Sequence, residues 1–232
     1  MTILVVAAHP DDEVLGCGAT LARLAREGHE VHIAIVAEGI TSRYGERDRA
    51  DGGQLALLHE NAHAAAAKIG AKDILLYKLP DNRLDTVALL DIVKLVEGLV
   101  ERLAPEIVYT HHSGDLNMDH GIVHRAVLTA TRPVPGQSVC EVYAFEVPSS
   151  TDWAFQGLEP VFRPNVFVDV TSTMETKLAA MACYVTEARQ SPHPRSPDAL
   201  RAAATRWGSV VGCQAAEAFE LVRSVRLDTH RQ

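Results

Sequence analysis

Four short apolar runs, TILVVAA (2–8), VHIAIV (31–36), DILLYKL (73–79) and EIVYTH (106–111), divide the first half of the chain, and each is followed by a helical pattern. This alternation constrains the fold more than any other feature. Runs that are apolar at nearly every position are strands buried on both faces, and parallel strands need crossovers of helix length between them. The segment 13–27 carries Val14, Leu15, Ala19, Leu21, Ala22 and Ala25 at helical spacing, with Gly28 placed to stop it. Further helices are predicted over 54–70, 86–104 and 120–131, and the polar, Gly-rich stretch 38–53 reads as a long loop. The expectation is an α/β chain with a mostly parallel, doubly wound sheet and helices on both faces. Right-handed crossovers then bring all the strand C-termini to one edge. Beyond residue 132 the pattern is less regular. Strands are predicted at 141–147 and 165–170. A Ser/Thr-capped helix is predicted at 172–185, and another at 196–212 with Pro197 in its first turn. Without repeats or a low-complexity linker, 1–232 reads as one domain.

Composition narrows the partners. The formal net charge is -8 and no Lys/Arg cluster is present, which argues against a nucleic-acid partner. No apolar stretch is long enough to span a membrane, and no basic segment precedes the first apolar run. The four cysteines are far apart and form no CxxC pair, so reduced thiols and a cytoplasmic location are expected. Apolar helix faces leave room for a homo-oligomer.

The first strand ends in HPDDE (9–13), and the fourth is followed by His111, His112, Asp115, Asn117, Asp119 and His120. Both groups fall on the edge where open parallel sheets bind ligands. Proline followed by acids is also an ordinary helix start, but that leaves His9 and the second cluster unexplained. His9 and Asp12, three apart where a loop becomes a helix, can converge on a metal ion. A third ligand from the loop after the fourth strand completes an N/N/O set like that of catalytic zinc sites. Ligand types alone do not separate zinc from Fe(II). Asp11, between the two ligands, is left free to act as a base on a water. A GxGxxG after the first strand and a GxSxG elbow are both absent, and three acids would repel a pyrophosphate at this helix end.

AAHPDDEVLGCGATLARLAREGHEV (7–31) resembles the N-terminal signature of the PIG-L/LmbE-like zinc de-N-acetylases. The likeness continues through 57–84, DLNMDHGIVHRAV (115–127) and GCQAAEAFELVR (212–223). It implies a Rossmann-like fold and removal of an N-acetyl group from a small-molecule, GlcNAc-like amino-sugar substrate. Carried over by motif, His9, Asp12 and His120 are the metal ligands and Asp11 the general base. His124, one helical turn later, is the rival third ligand. Two positions depart from the family pattern. Asn117 stands where a second histidine is usual; its amide can donate to an oxyanion but cannot deliver a proton. The leaving amine is then protonated by Asp11, His112 or His193. Leu57 stands where an arginine is common, which shifts substrate contacts to Arg43, Arg47 or Arg49. Hydration of a small unsaturated acid on the same fold, or non-catalytic sugar or metal binding, are the alternative functions.

Overall fold

A computed structural model describes residues 1–226. Strands β1 (Thr2–Ala7), β2 (Glu30–Ala37), β3 (Asp73–Leu79), β4 (Ile107–His111), β5 (Glu141–Phe145), β6 (Val166–Asp169) and β7 (Ala216–Ser224) form one sheet in the order β3-β2-β1-β4-β5-β7-β6. The first five pair in parallel, and β7 runs antiparallel to both β5 and β6. The mixed sheet with its helices is the α/β fold expected from the sequence.

In β1, β2 and β4 the continuous apolar runs are explained by burial on two sides, whereas β3, at the sheet edge, is only partly buried. In β1, Ile3, Val5 and Ala7 face one core while Leu4, Val6 and the adjoining Ala8 face the other. The first core is covered by α1 (Asp12–Arg26), α2 (Gly52–Ile69), α5 (Met174–Met181) and α6 (Pro197–Val211), and the second by α3 (Leu89–Leu103) and α4 (Met118–Ala130). Helix ends follow the sequence signals in part. Gly28 and Gly70 take positive φ at the ends of α1 and α2, and the Ser196 side chain accepts from Ala199 N ahead of Pro197. The predicted side-chain cap at 172–173 does not form. Thr173 Oγ1 instead donates to the Val170 carbonyl, and α5 stops at Met181.

The largest departure from expectation is β7, which the sequence reading did not assign as a strand. It fills the gap between β5 and β6 and carries a buried ion pair under α1. Glu217 accepts from Ala19 N and Thr20 N within the helix and from Lys177 Nζ of α5, which also donates to the Leu15 carbonyl. Gly16 of α1 lies against the Phe145 ring, which a Cβ at this position would penetrate. Gly16→Ala is therefore expected to lower stability by about 1–3 kcal/mol, measured by urea unfolding, as overpacked cores do.

Candidate metal centre and pocket

The β1 run ends at the sheet edge, and α1 begins only at Asp12. The intervening Asp11 has φ 108, in the left-handed region that side chains other than glycine adopt at a cost. The turn is held from behind. Asp11 N donates to Glu13 Oε2 (3.1 Å), and Tyr184 Oη donates to Glu13 Oε1 (2.6 Å). Burial pushes the Glu13 carboxyl up to about 7 despite the tyrosine bond. Tyr184→Phe removes this buried donor, and an unfolding free energy lower by about 1–3 kcal/mol is the expected result.

This geometry brings His9, Asp12 and His120 together. One ligand atom from each lies within 4.8 Å of the others. Asp12 Oδ2 is 3.2 Å from both His9 Nδ1 and His120 Nε2. Ligand atoms around a tetrahedral ion with bonds near 2.1 Å are separated by roughly 3.4 Å, so the spacing suits one. His120 Nε2 is buried and faces the Asp12 carboxylate, on the side of the ring away from Asp115, as a nitrogen sharing a metal with Asp12 would be. The residues therefore fit a metal ion.

Other carboxylates orient these imidazoles from behind, the arrangement found around metal-ligating histidines. Asp119 Oδ2 lies 3.0 Å and Asp81 Oδ1 3.4 Å from His9 Nε2. Asp119 is fixed in turn by the peptide N–H of Leu84. Asp115 Oδ2 lies 3.2 Å from His120 Nδ1 and accepts from Thr151 Oγ1, while Oδ1 accepts from Ser150 Oγ and Asn117 N. Burial raises the Asp115 carboxyl, but His120 and the two hydroxyls outweigh it and hold the group at about 2. Without a cation, burial would lower His9 and His120. The surrounding acids reverse this and raise them to about 10 and about 9.

The cluster forms the floor of a cavity of about 270 Å³. Asp11 Oδ2 accepts from Arg195 Nη1 at 2.6 Å, a partner the sequence reading did not identify. Burial pushes the Asp11 carboxyl well up and the Arg195 guanidinium opposes it. Asn117 lines the cavity as the N-cap of α4. Its Oδ1 accepts from Asp119 N, and its Nδ2 donates to Asn82 Oδ1, leaving one amide proton uncommitted. Arg43 and His193 also line the cavity; Arg43 pairs with Glu187, and His193 Nδ1 accepts from Arg195 N.

Several candidates lie elsewhere. Arg47 is drawn to Glu38 (2.6 Å) and the Lys78 carbonyl, outside the cavity lining. Arg49 pairs with Glu46 on the surface. His112 is held between Glu220 and the Pro160 carbonyl, with both ring nitrogens engaged. His124 Nδ1 donates to the His111 carbonyl and is not part of the cluster. His111, buried beneath the site, accepts from Ala8 N through Nε2 and stacks on His120 at 3.9 Å. No helix among the described residues is long and apolar enough to cross a membrane, and the four cysteines are unpaired.

A His9/Asp12/His120 cluster that could hold a metal ion, with the Asp11 carboxylate beside it, thus lies at the C-terminal edge of a mixed α/β sheet. The family model described as "PIG-L: GlcNAc-PI de-N-acetylase" matches residues 4–131, and the chain belongs to that family. It is 32% identical over 185 residues to the uncharacterized deacetylase YaiS of Escherichia coli K12, covering 77% of this chain and 88% of that one. It is 30% identical over 202 residues to the 4-oxalmesaconate hydratase of Pseudomonas putida, covering 78% and 71% of the two chains. The fold also matches the N,N'-diacetylchitobiose deacetylase structure from Pyrococcus horikoshii, with TM-score 0.76, 18% identity and coverage of 96% and 84%.

Proposed function

We propose that this chain is a metal-dependent amidohydrolase that removes the N-acetyl group from a GlcNAc-like amino-sugar substrate, with His9, Asp12 and His120 holding the metal. The observation that carries the reading is the Asp11 carboxylate beside the three-ligand cluster, on the floor of a cavity. The donor set suits zinc, and Fe(II) accepts the same ligands. Bound there, such an ion polarises an amide carbonyl and acidifies water.

The chain's own groups supply the rest. Arg195 engages Asp11 Oδ2 and leaves Oδ1 to take a proton from the attacking water. The remaining amide proton of Asn117 is the donor available to the developing oxyanion. His112 is fully engaged, so it does not serve the leaving amine. His193 is held neutral by burial and by Arg195 and Arg189, which leaves it a poor acid. Asp11 therefore returns the proton it took, delivering it to the departing nitrogen. Acetate release from N-acetyl amino sugars by the zinc- or Fe(II)-loaded protein tests this. The similarity to the Pseudomonas enzyme favours a second reading, hydration of a small unsaturated acid. Hydration of such acids without acetate release from any sugar would replace the first reading with the second.

A further inference from the structure

A second cavity, of about 580 Å³, lies where β4 and β5 end beside α6. Among the described residues it shares no lining side chain with the cavity above the metal cluster. The segment 149–155 is the partition between them. Ser149, Ser150 and Trp153 line the first cavity, and Thr151, Asp152 and Phe155 line the second.

The acid in the wall of this second cavity is Glu146, the residue after β5. Trp207 Nε1 donates to its Oε1 at 2.7 Å, and among the described residues no donor reaches Oε2. The cations around it are committed elsewhere. Lys177 is held by Glu217 at 2.6 Å and by the Leu15 carbonyl. His112 is paired with Glu220, and the exposed Arg206 stacks over the Trp207 ring, 4.1 Å from its centroid. Burial raises the Glu146 carboxyl; the Trp207 bond opposes this and the nearby Asp152 adds to it. The carboxylate therefore lacks a counter-ion, and a second acid stands beside it.

Much of the remaining wall is apolar or aromatic. Phe162 stands edge-on to His112, while Phe155 (81% exposed) and Leu158 (43% exposed) sit at the mouth. A carboxylate set among aromatic rings selects a cation, because the ring faces attract the charge and the carboxylate takes its hydrogen bond.

We propose that this cavity is a ligand site separate from the metal centre, and that it binds an organic primary ammonium with an aromatic or branched apolar body. The ammonium donates to Glu146 Oε2, and the body fills the space lined by Phe155, Leu158, Val161 and Phe162. The site is independent of which reaction the metal centre performs.

The test is calorimetric titration of the zinc-loaded protein, near neutral pH and at fixed ionic strength, with phenethylamine, phenethyl alcohol and hydrocinnamate. These share a phenyl body and differ in charge. The amine is expected to bind about tenfold or more tighter than the alcohol, as a charge-assisted hydrogen bond gives, and the carboxylate weakest of the three. Glu146→Gln keeps an oxygen for the Trp207 indole, and the advantage of the amine over the alcohol should vanish in it. Ala203→Leu, an exposed position of α6 in the same wall, narrows the cavity without touching its charge and should weaken amine and alcohol alike. The chain has two tryptophans, so Trp153→Phe leaves Trp207 as the reporter of this cavity, and its emission should change on adding the amine. Equal affinity for amine and alcohol would overturn the proposal. So would an advantage that persists in Glu146→Gln, since the amine would then sit among the acids of the other cavity, and so would Trp207 emission that ignores the amine.

Discussion

His120→Ala is expected to abolish stoichiometric metal binding, while His124→Ala retains it. Elemental analysis of the purified proteins after loading checks both. The two histidines are one turn apart on α4, but their surroundings differ. His120 Nε2 is buried 3.2 Å from Asp12 Oδ2, whereas His124 Nδ1 is spent on the His111 carbonyl. Removing one of three protein ligands leaves too few for a closed chelate. Metal retained in His120→Ala and lost in His124→Ala would move the third ligand down the helix. Loading should also release protons. His9 and His120 are raised to about 10 and about 9 without the ion, so both are protonated at neutral pH and must lose a proton to coordinate. Metal affinity is therefore expected to fall as pH drops, and calorimetry in buffers of different ionisation enthalpy counts the protons.

The second large effect is on turnover. Asp11→Asn is expected to lower the rate of acetate release by about 10²–10⁴-fold, the usual contribution of a general acid–base group, with metal content unchanged. Asparagine keeps the shape of the side chain and a carbonyl oxygen for Arg195, so the strained turn at φ 108 and the Glu13 bond behind it are preserved. Only the ability to accept and return a proton is lost. Loss of metal in this variant would mean that Asp11 is a ligand, and full activity would remove it from the reaction.

Most of the N-terminal half was legible from sequence because each rule acts over short range. Continuous apolar runs marked β1 to β4, and glycines after helical periods marked the ends of α1 and α2. His9, Asp12 and His120 follow directly from two strand ends, so their convergence needed only the parallel topology. β7 escaped because AEAFELVRS alternates weakly and its partners are distant in sequence. Arg195 escaped for the same reason: its link to Asp11 spans 184 residues and leaves no local pattern. Arg47 misled because a charged loop residue near a site looks alike in sequence whether it faces substrate or, as here, a neighbouring Glu38. The position of His112 next to buried His111 gave no sign that its ring turns to Glu220.

The antiparallel insertion of β7 has a consequence for how the chain matures. A ribosome delivers β1 to β5 in an order that lets the parallel half assemble as it emerges. β6, however, has no strand neighbour until residues 216–224 arrive, and until then β5 presents an open edge of unpaired peptide groups. Glu217, which anchors the middle of α1 just behind HPDDE, arrives with the same strand. Closure of the sheet and the Glu217 bonds to the helix that carries Asp12 thus both wait for the same strand, and a nascent chain halted before residue 216 would expose a sticky edge and lack this anchor for that helix.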